Sequence, residues 1–182
     1  GGFHFADTRS LWSFRAGQLL FEDIEGKING SPFNGELGML FRKEEKILWT
    51  IMARGNDLQV ESWKQRFSWL RSFSGNIPRL AVDLKGPSDH LQGLVTLGNA
   101  NVELMDKAFG GLTGDITLSL PEAVSLNLEG FWSSSPISVS GKVIPTGNPE
   151  LFIDISSRAF CLKDVRELNG WLEKMVPEGN MA

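Results

Sequence analysis

The chain has 182 residues, of which 41% are hydrophobic and 22% charged, with 20 Gly and 8 Pro. That content excludes a disordered tail, and the length suits one domain or a short run of repeats. A net charge of −4 argues against a phosphate-backbone ligand, so no nucleic-acid partner is expected, and no apolar run approaches the roughly 18 residues of a membrane-spanning helix.

The chain opens on Gly1-Gly2-Phe3-His4-Phe5, without an initiator Met or the pattern of a signal peptide. It reads as an internal segment whose targeting and anchoring parts lie elsewhere. Asn29-Gly30 marks a two-residue hairpin turn, which needs positive φ. With Ser31 the same residues match an N-glycosylation acceptor, but the turn is the preferred reading. The run Ile47 to Met52 is apolar in both phases and predicts a strand covered on both sides. Val60, Trp63, Phe67 and Leu70 are then spaced as one apolar stripe of a helix.

Strand alternation resumes with Leu80, Val82 and Leu84 against Ala81, Asp83 and Lys85. Gly110-Gly111 reads as a break between strands. Val124, Leu126 and Leu128 alternate with Ser125, Asn127 and Glu129; Ile137, Val139, Gly141 and Val143 alternate with Ser138, Ser140 and Lys142. Gly147-Asn148-Pro149 is a further break, followed by Leu151, Ile153 and Ile155 against Asp154 and Ser156, with Phe152 interrupting the polar face. Val165, Leu168, Leu172 and Met175 close the chain with a second helical stripe. Each strand so read has one apolar and one polar face.

The chain partly repeats itself. At an offset of 104 residues (129 − 25 = 104), Glu25-Gly26 falls on Glu129-Gly130, Ser31-Pro32 on Ser135-Pro136, Arg54 on Arg158 and Leu58 on Leu162. Apolar positions match as well: Ile24 with Leu128, Met39 with Val143, Ile47 with Leu151, Ile51 with Ile155. Both copies run into a helical stripe. One copy is placed at about 16–73, the second at about 122–176, with strands 74–121 between them, in a single segment spanning 1–182. A shorter theme, apolar-x-Gly before a polar turn, recurs at Ile24-Glu25-Gly26, Leu84-Lys85-Gly86 and Leu128-Glu129-Gly130. Units of this kind touch mainly their neighbours.

Little in the chain suggests chemistry. His4 and His90 lack metal-ligand partners at a recognisable spacing. Cys161, between Phe160 and Leu162, reads as a small buried apolar residue, and a single Cys allows no internal disulfide. Gly110-Gly111-Leu112-Thr113-Gly114 lacks the Lys of a phosphate loop. Asp115, Glu129 and Asp154 lie on separate strands, where a pair could meet only across the sheet. The expectation is a protein without catalytic activity, cofactor or metal.

The apolar-x-Gly hairpins in "LAVDLKGPSDHLQGLVTLGNANVELM" and "LNLEGFWSSSPISVSGKVIPTGNPELFIDISSRAFCLKDVREL" resemble the AsmA superfamily, and within it the TamB-like proteins. In the second stretch a Pro-led strand, the strand NPELFIDI and the helix start LKDVREL follow one another, and the likeness runs from about Ala16 to Met175. The resemblance implies a curved antiparallel β-sheet of repeated hairpins, a groove with two short amphipathic helices. It implies a periplasmic segment of a protein anchored in the inner membrane, carrying phospholipid acyl chains toward the outer membrane. Its partners would be flanking repeats of the same chain and an outer-membrane β-barrel protein met through regions not present. The family's amino-terminal membrane helix and carboxy-terminal partner module are both missing here.

About ten strands against two helices leave the apolar face without a helical blanket. The sheet must close on itself or stay open as a trough, and an open trough suits acyl chains, which need no directional partner. The expected lining is Leu37, Met39, Trp49, Ile51, Val82, Leu84, Leu126, Leu128, Ile137, Val139, Leu151, Ile153 and Ile155. A register slip of one residue would exchange the faces. The first helix, with Trp63, Phe67, Trp69 and Leu70 beside Lys64, Arg66 and Arg71, is read as a cap on the sheet end, with an interfacial membrane helix as the alternative. A competing functional expectation is a β-scaffold that binds β-rich partners by strand addition at its edges.

Overall fold

The computed structural model describes residues 5–43, 45–64, 71, 73–104, 107–144, 150–161 and 170. These hold ten strands: β1 (Phe5–Arg15), β2 (Gln18–Ile28), β3 (Ser31–Leu40), β4 (Leu48–Gln59), β5 (Phe73–Pro87), β6 (Gln92–Leu104), β7 (Lys107–Ser119), β8 (Ala123–Trp132), β9 (Ser135–Ile144) and β10 (Glu150–Ser156). They form one antiparallel sheet in which every strand pairs with its neighbours in sequence. The sheet is curved and open, so the expected all-β architecture of successive hairpins is the one adopted. Only the start of the first helical stripe falls within the described residues, as a single 3₁₀ turn at Val60–Trp63. Phe67, Trp69 and Leu70, and the apolar positions of the second stripe, lie outside them.

Turn chemistry sets the hairpins. Ile28 faces Ser31 across Asn29 (φ 50°) and Gly30 (φ 87°), the two positive-φ residues that match the twist of the flanking strands. Ala16 (φ 49°) and Gly17 (φ 78°) do the same between Arg15 and Gln18. Gly110-Gly111, read from sequence as a break, instead lies inside β7, where the register against β8 shifts between Gly110 and Thr113. A positive φ in a paired strand makes a bulge as readily as a turn.

Similar irregularities cross the sheet as a line. On β4, Trp49, Ile51, Ala53 and Gly55 are covered and the residues between them exposed; then Asn56 and Asp57 (φ 52°) are both exposed and Leu58 is buried. The alternation slips by one in the same way at Asn99 (φ 57°) on β6 and Gly111 (φ 62°) on β7, in line with Asp57, whereas the slip at Asp23 (φ 50°) on β2 lies level with Met52, outside that line. Asp and Asn tolerate the left-handed conformation better than other residues with a side chain. Each slip lets the sheet bend while its apolar residues stay on one side. The result is a crease running perpendicular to the strands.

The strand Leu48–Gln59 is not covered on both sides, as its apolar run had suggested. Met52 is 41% exposed and faces Glu36 and Asp83 on the outer surface, because no second layer packs there among the described residues. The chain exposes 12378 Å², about 3,700 Å² more than the roughly 8,700 Å² of a compact monomer of its mass.

Close strand approach fixes some glycines. A Cβ on Gly114 (φ 148°) would lie 2.2 Å from the Asn127 carbonyl oxygen. Gly114→Ala should therefore lower stability by about 1–3 kcal/mol in urea unfolding. Gly38→Ala, where a Cβ meets nothing nearer than 3.5 Å, should be close to neutral. Equal effects would contradict this backbone geometry.

Candidate functional site

The site is a face rather than a pocket. Residues directly opposite in an antiparallel ladder put their side chains on the same side. One row can be followed through all ten strands: Trp12, Phe21, Leu37, Ile51, Leu84, Gly93, Leu118, Val124, Val143 and Leu151. It holds no polar or charged side chain. At about 4.8 Å per strand it runs for about 43 Å. Beside it Val82 faces Val95, Val95 faces Ile116, Ile116 faces Leu126, and Leu126 reaches Ile153 across Gly141. Leu128 faces Val139, which faces Ile155; Met39 faces Trp49; Gly130 faces Ile137. Twelve of the thirteen residues expected to line a groove thus share one face, here called the inner face, and Leu151 is in register with Val143 of that face.

Burial divides that face. At the crease, Ala100, Phe109, Leu112, Trp132 and Ile137 form a packed cluster, with the Phe109 and Trp132 rings edge to face at 4.7 Å. Val139 and Ile155 pack against it, together with Ile77 and Phe160. Ile137 is only 3% exposed, so it belongs to this closed core. Leu37, Met39, Trp49, Ile51, Val82, Leu84, Leu126 and Leu128 are half-buried, and Ile153 is 46% exposed. Leu151 is placed by its register opposite Val143. The apolar face is therefore shut along the crease and open away from it.

Several inner-face residues were missed. Val95 and Leu97, and Ile116 and Leu118, alternate with polar neighbours, so their signal was present in the sequence. Trp12, Phe14, Leu19 and Phe21 extend the face over β1 and β2, where bulges between Ala6 and Leu11 and between Phe21 and Ile24 obscure the period. Of the crease residues only Ile137 was phased; Ala100 and Leu112 lie beyond points where the alternation slips.

The outer face and the rims are mostly polar, with Met52, Leu94 and Phe152 exposed on the outer side. Asp115 accepts a hydrogen bond from Thr96 at 2.8 Å, Glu129 faces Thr113 and Ser138, and Asp154 faces Ser140, so these carboxylates do not oppose one another. Along one rim Lys46 pairs with Asp89, and His90 lies 2.5 Å from Glu122. The Lys46 ammonium holds the Asp89 carboxyl below the usual carboxylate range. These pairs join neighbouring turns but are solvent-exposed and add little stability. Cys161 is exposed rather than buried; Phe160 turns inward in its place, while the Cys161 N–H donates to Ser135 Oγ at 3.1 Å. Among the described residues no group of His, Cys, Asp or Glu is placed to hold a metal, and no helix is long and apolar enough to cross a membrane.

Trp63 is half-buried in the 3₁₀ turn, next to buried Val60. Glu61 ties this turn to β5: its carboxylate accepts the Gly75 N–H at 3.0 Å. Its own backbone N–H and that of Gly75 hold the carboxyl below the usual range. The ionised form is thus favoured by folding, so its contribution is present above the ordinary carboxylate pKa and lost as pH falls through the lowered one. The Gly75 amide resonance should shift over that acid range, and Glu61→Gln should remove the titration. A flat Gly75 response in the parent protein would contradict the tether.

No protein-family model matches the chain, and comparisons with curated proteins and with solved structures return no match. The face must be judged on its own packing. Ile137→Ala should cost about 2–4 kcal/mol in equilibrium unfolding, as expected for a closed core. Ile153→Ala should cost under about 1 kcal/mol. Similar losses at both positions would mean that the face is uniformly closed.

Proposed function

We propose that this chain is a segment of a lipid-transfer protein of the TamB-like, AsmA type, whose inner face carries phospholipid acyl chains between the inner and outer membranes. The observation that carries the reading is the row from Trp12 to Leu151, apolar through ten strands and only half covered. Monomers seldom leave more than a few hundred Å² of contiguous apolar surface to water. A face this long asks for a ligand that is itself long and apolar. Burial of acyl chains contributes about 0.8 kcal/mol per CH₂ and breaks no directional bond as the chain slides. On this reading the segment is periplasmic, belongs to an inner-membrane-anchored protein, works passively without catalysis or cofactor, and meets an outer-membrane β-barrel protein through other regions.

Mass spectrometry of an organic extract of detergent-free protein, against buffer and an unrelated β-sandwich, tests the proposal. The expected result is phospholipid at a fixed ratio to protein, with Val82→Asp or Leu128→Asp abolishing retention in a folded chain. Full retention by folded Leu128→Asp protein would reject the assignment. A second reading, a non-catalytic scaffold for β-rich partners, is favoured by one feature: β1 and β10 each pair with only one strand among the described residues.

A further inference from the structure

We infer that the outer face carries a binding site of its own, a trough along β9 that takes a neutral oligosaccharide. Register places its parts. Phe131 faces Pro136, Glu129 faces Ser138, and Ser138 faces Ser156. These side chains lie on the outer side, because Trp132 and Ile137, next to them in sequence, are buried in the crease cluster of the inner face. Past the end of β10, Ser157 Oγ donates to the Pro136 carbonyl and accepts the Ala159 N–H at 3.2 Å, and this turn brings Arg158 beside Pro136. Short side chains, Pro136 and Ser138, therefore run along β9. Glu129 and Phe131 stand on β8 to one side of them, and Arg158 stands on the other. Together they border an open concavity of about 640 Å³, the scale of a small-molecule site.

The chemistry of the trough narrows its ligand. Glu129 and Arg158 border one concavity yet form no ion pair, and neither they nor Ser138 and Ser156 have a side-chain hydrogen-bond partner among the described residues. An anion would meet Glu129 and a cation would meet Arg158, so the charges favour a ligand with no net charge. Strands β8 and β10 are about 10 Å apart, which suits separate contacts to one extended polyol better than a compact zwitterion. Sugar hydroxyls donate to a carboxylate and accept from a guanidinium, each a charge-assisted hydrogen bond. The C–H face of a sugar ring suits Phe131, which is 51% exposed and presents an electronegative ring face. Phe131 is seated by the β7 bulge: its Cδ2 lies 3.6 Å from where a Cβ on Gly111 would stand. The floor is backed by the packed crease, so little ordering is needed on binding. The trough opens opposite the apolar row, and the inference is independent of whether that row carries lipid.

The test is amide NMR of the whole chain titrated with chitotriose, cellotriose and maltotriose, each to about 10 mM, where weak sites fill. At least one trisaccharide should shift the amides of Glu129, Phe131, Ser138, Ser156 and Arg158, and should bind about tenfold more tightly than glucose. Phe131→Ala and Glu129→Gln should each weaken that binding about tenfold, through loss of a stacked ring or a charge-assisted bond, with the other amide resonances in place. No shift by any of the three sugars in folded protein would overturn the inference. Binding that survives both substitutions, shifts centred outside β8–β10, or a response to inorganic phosphate in place of the sugars would overturn it as well. Equal affinity for glucose would overturn the assignment to an oligosaccharide.

Discussion

A one-layer sheet with one apolar face has no partner layer to bury that face, and most of the structure answers that constraint. Among the described residues there is too little helix to cover ten strands, and the sheet covers itself as far as it can by bending. The best-buried side chains collect where it bends: Ala100, Phe109, Leu112, Trp132 and Ile137. Away from the bend the inner residues are left half-covered, and the outer face carries the polar complement.

The bend depends on a few backbone conformations. Asp57, Asn99 and Gly111 adopt positive φ at the points where strand alternation slips by one residue. Without the slip, residues beyond the bend would change faces, because side-chain direction in a strand has period two. With it, Leu58, Ala100 and Leu112 turn inward like the residues before it. The apolar side therefore stays continuous around the corner.

Much of this was legible in the sequence, because a half-covered strand writes its two faces as alternating residue types. The runs at Leu80–Leu84, Val124–Leu128 and Ile137–Val143 gave the correct phase, and twelve of the positions expected to line a groove fall on one face. Ser31-Pro32 and Ser135-Pro136, matched at the 104-residue offset, both open strands after turns containing Asn29 and Ser133, each at positive φ. The crease was not legible, since an Asp or Asn in a strand looks like an ordinary outward polar residue until its φ is known. Gly110-Gly111 misled for the related reason that glycine serves turns and bulges alike. Ile47–Met52 misled because an exposed Met is compatible with an uncovered outer face.

The central claim is that the inner face admits an acyl chain where it is open and excludes it at the crease. Two tryptophans report on the two regions: Trp49 on the half-buried part and Trp132 in the closed cluster, 2% exposed. Single-tryptophan variants retaining one or the other would be titrated with phospholipid brominated along its acyl chains. The account predicts strong quenching of Trp49 and almost none of Trp132. Quenching of neither, or of both alike, would contradict it.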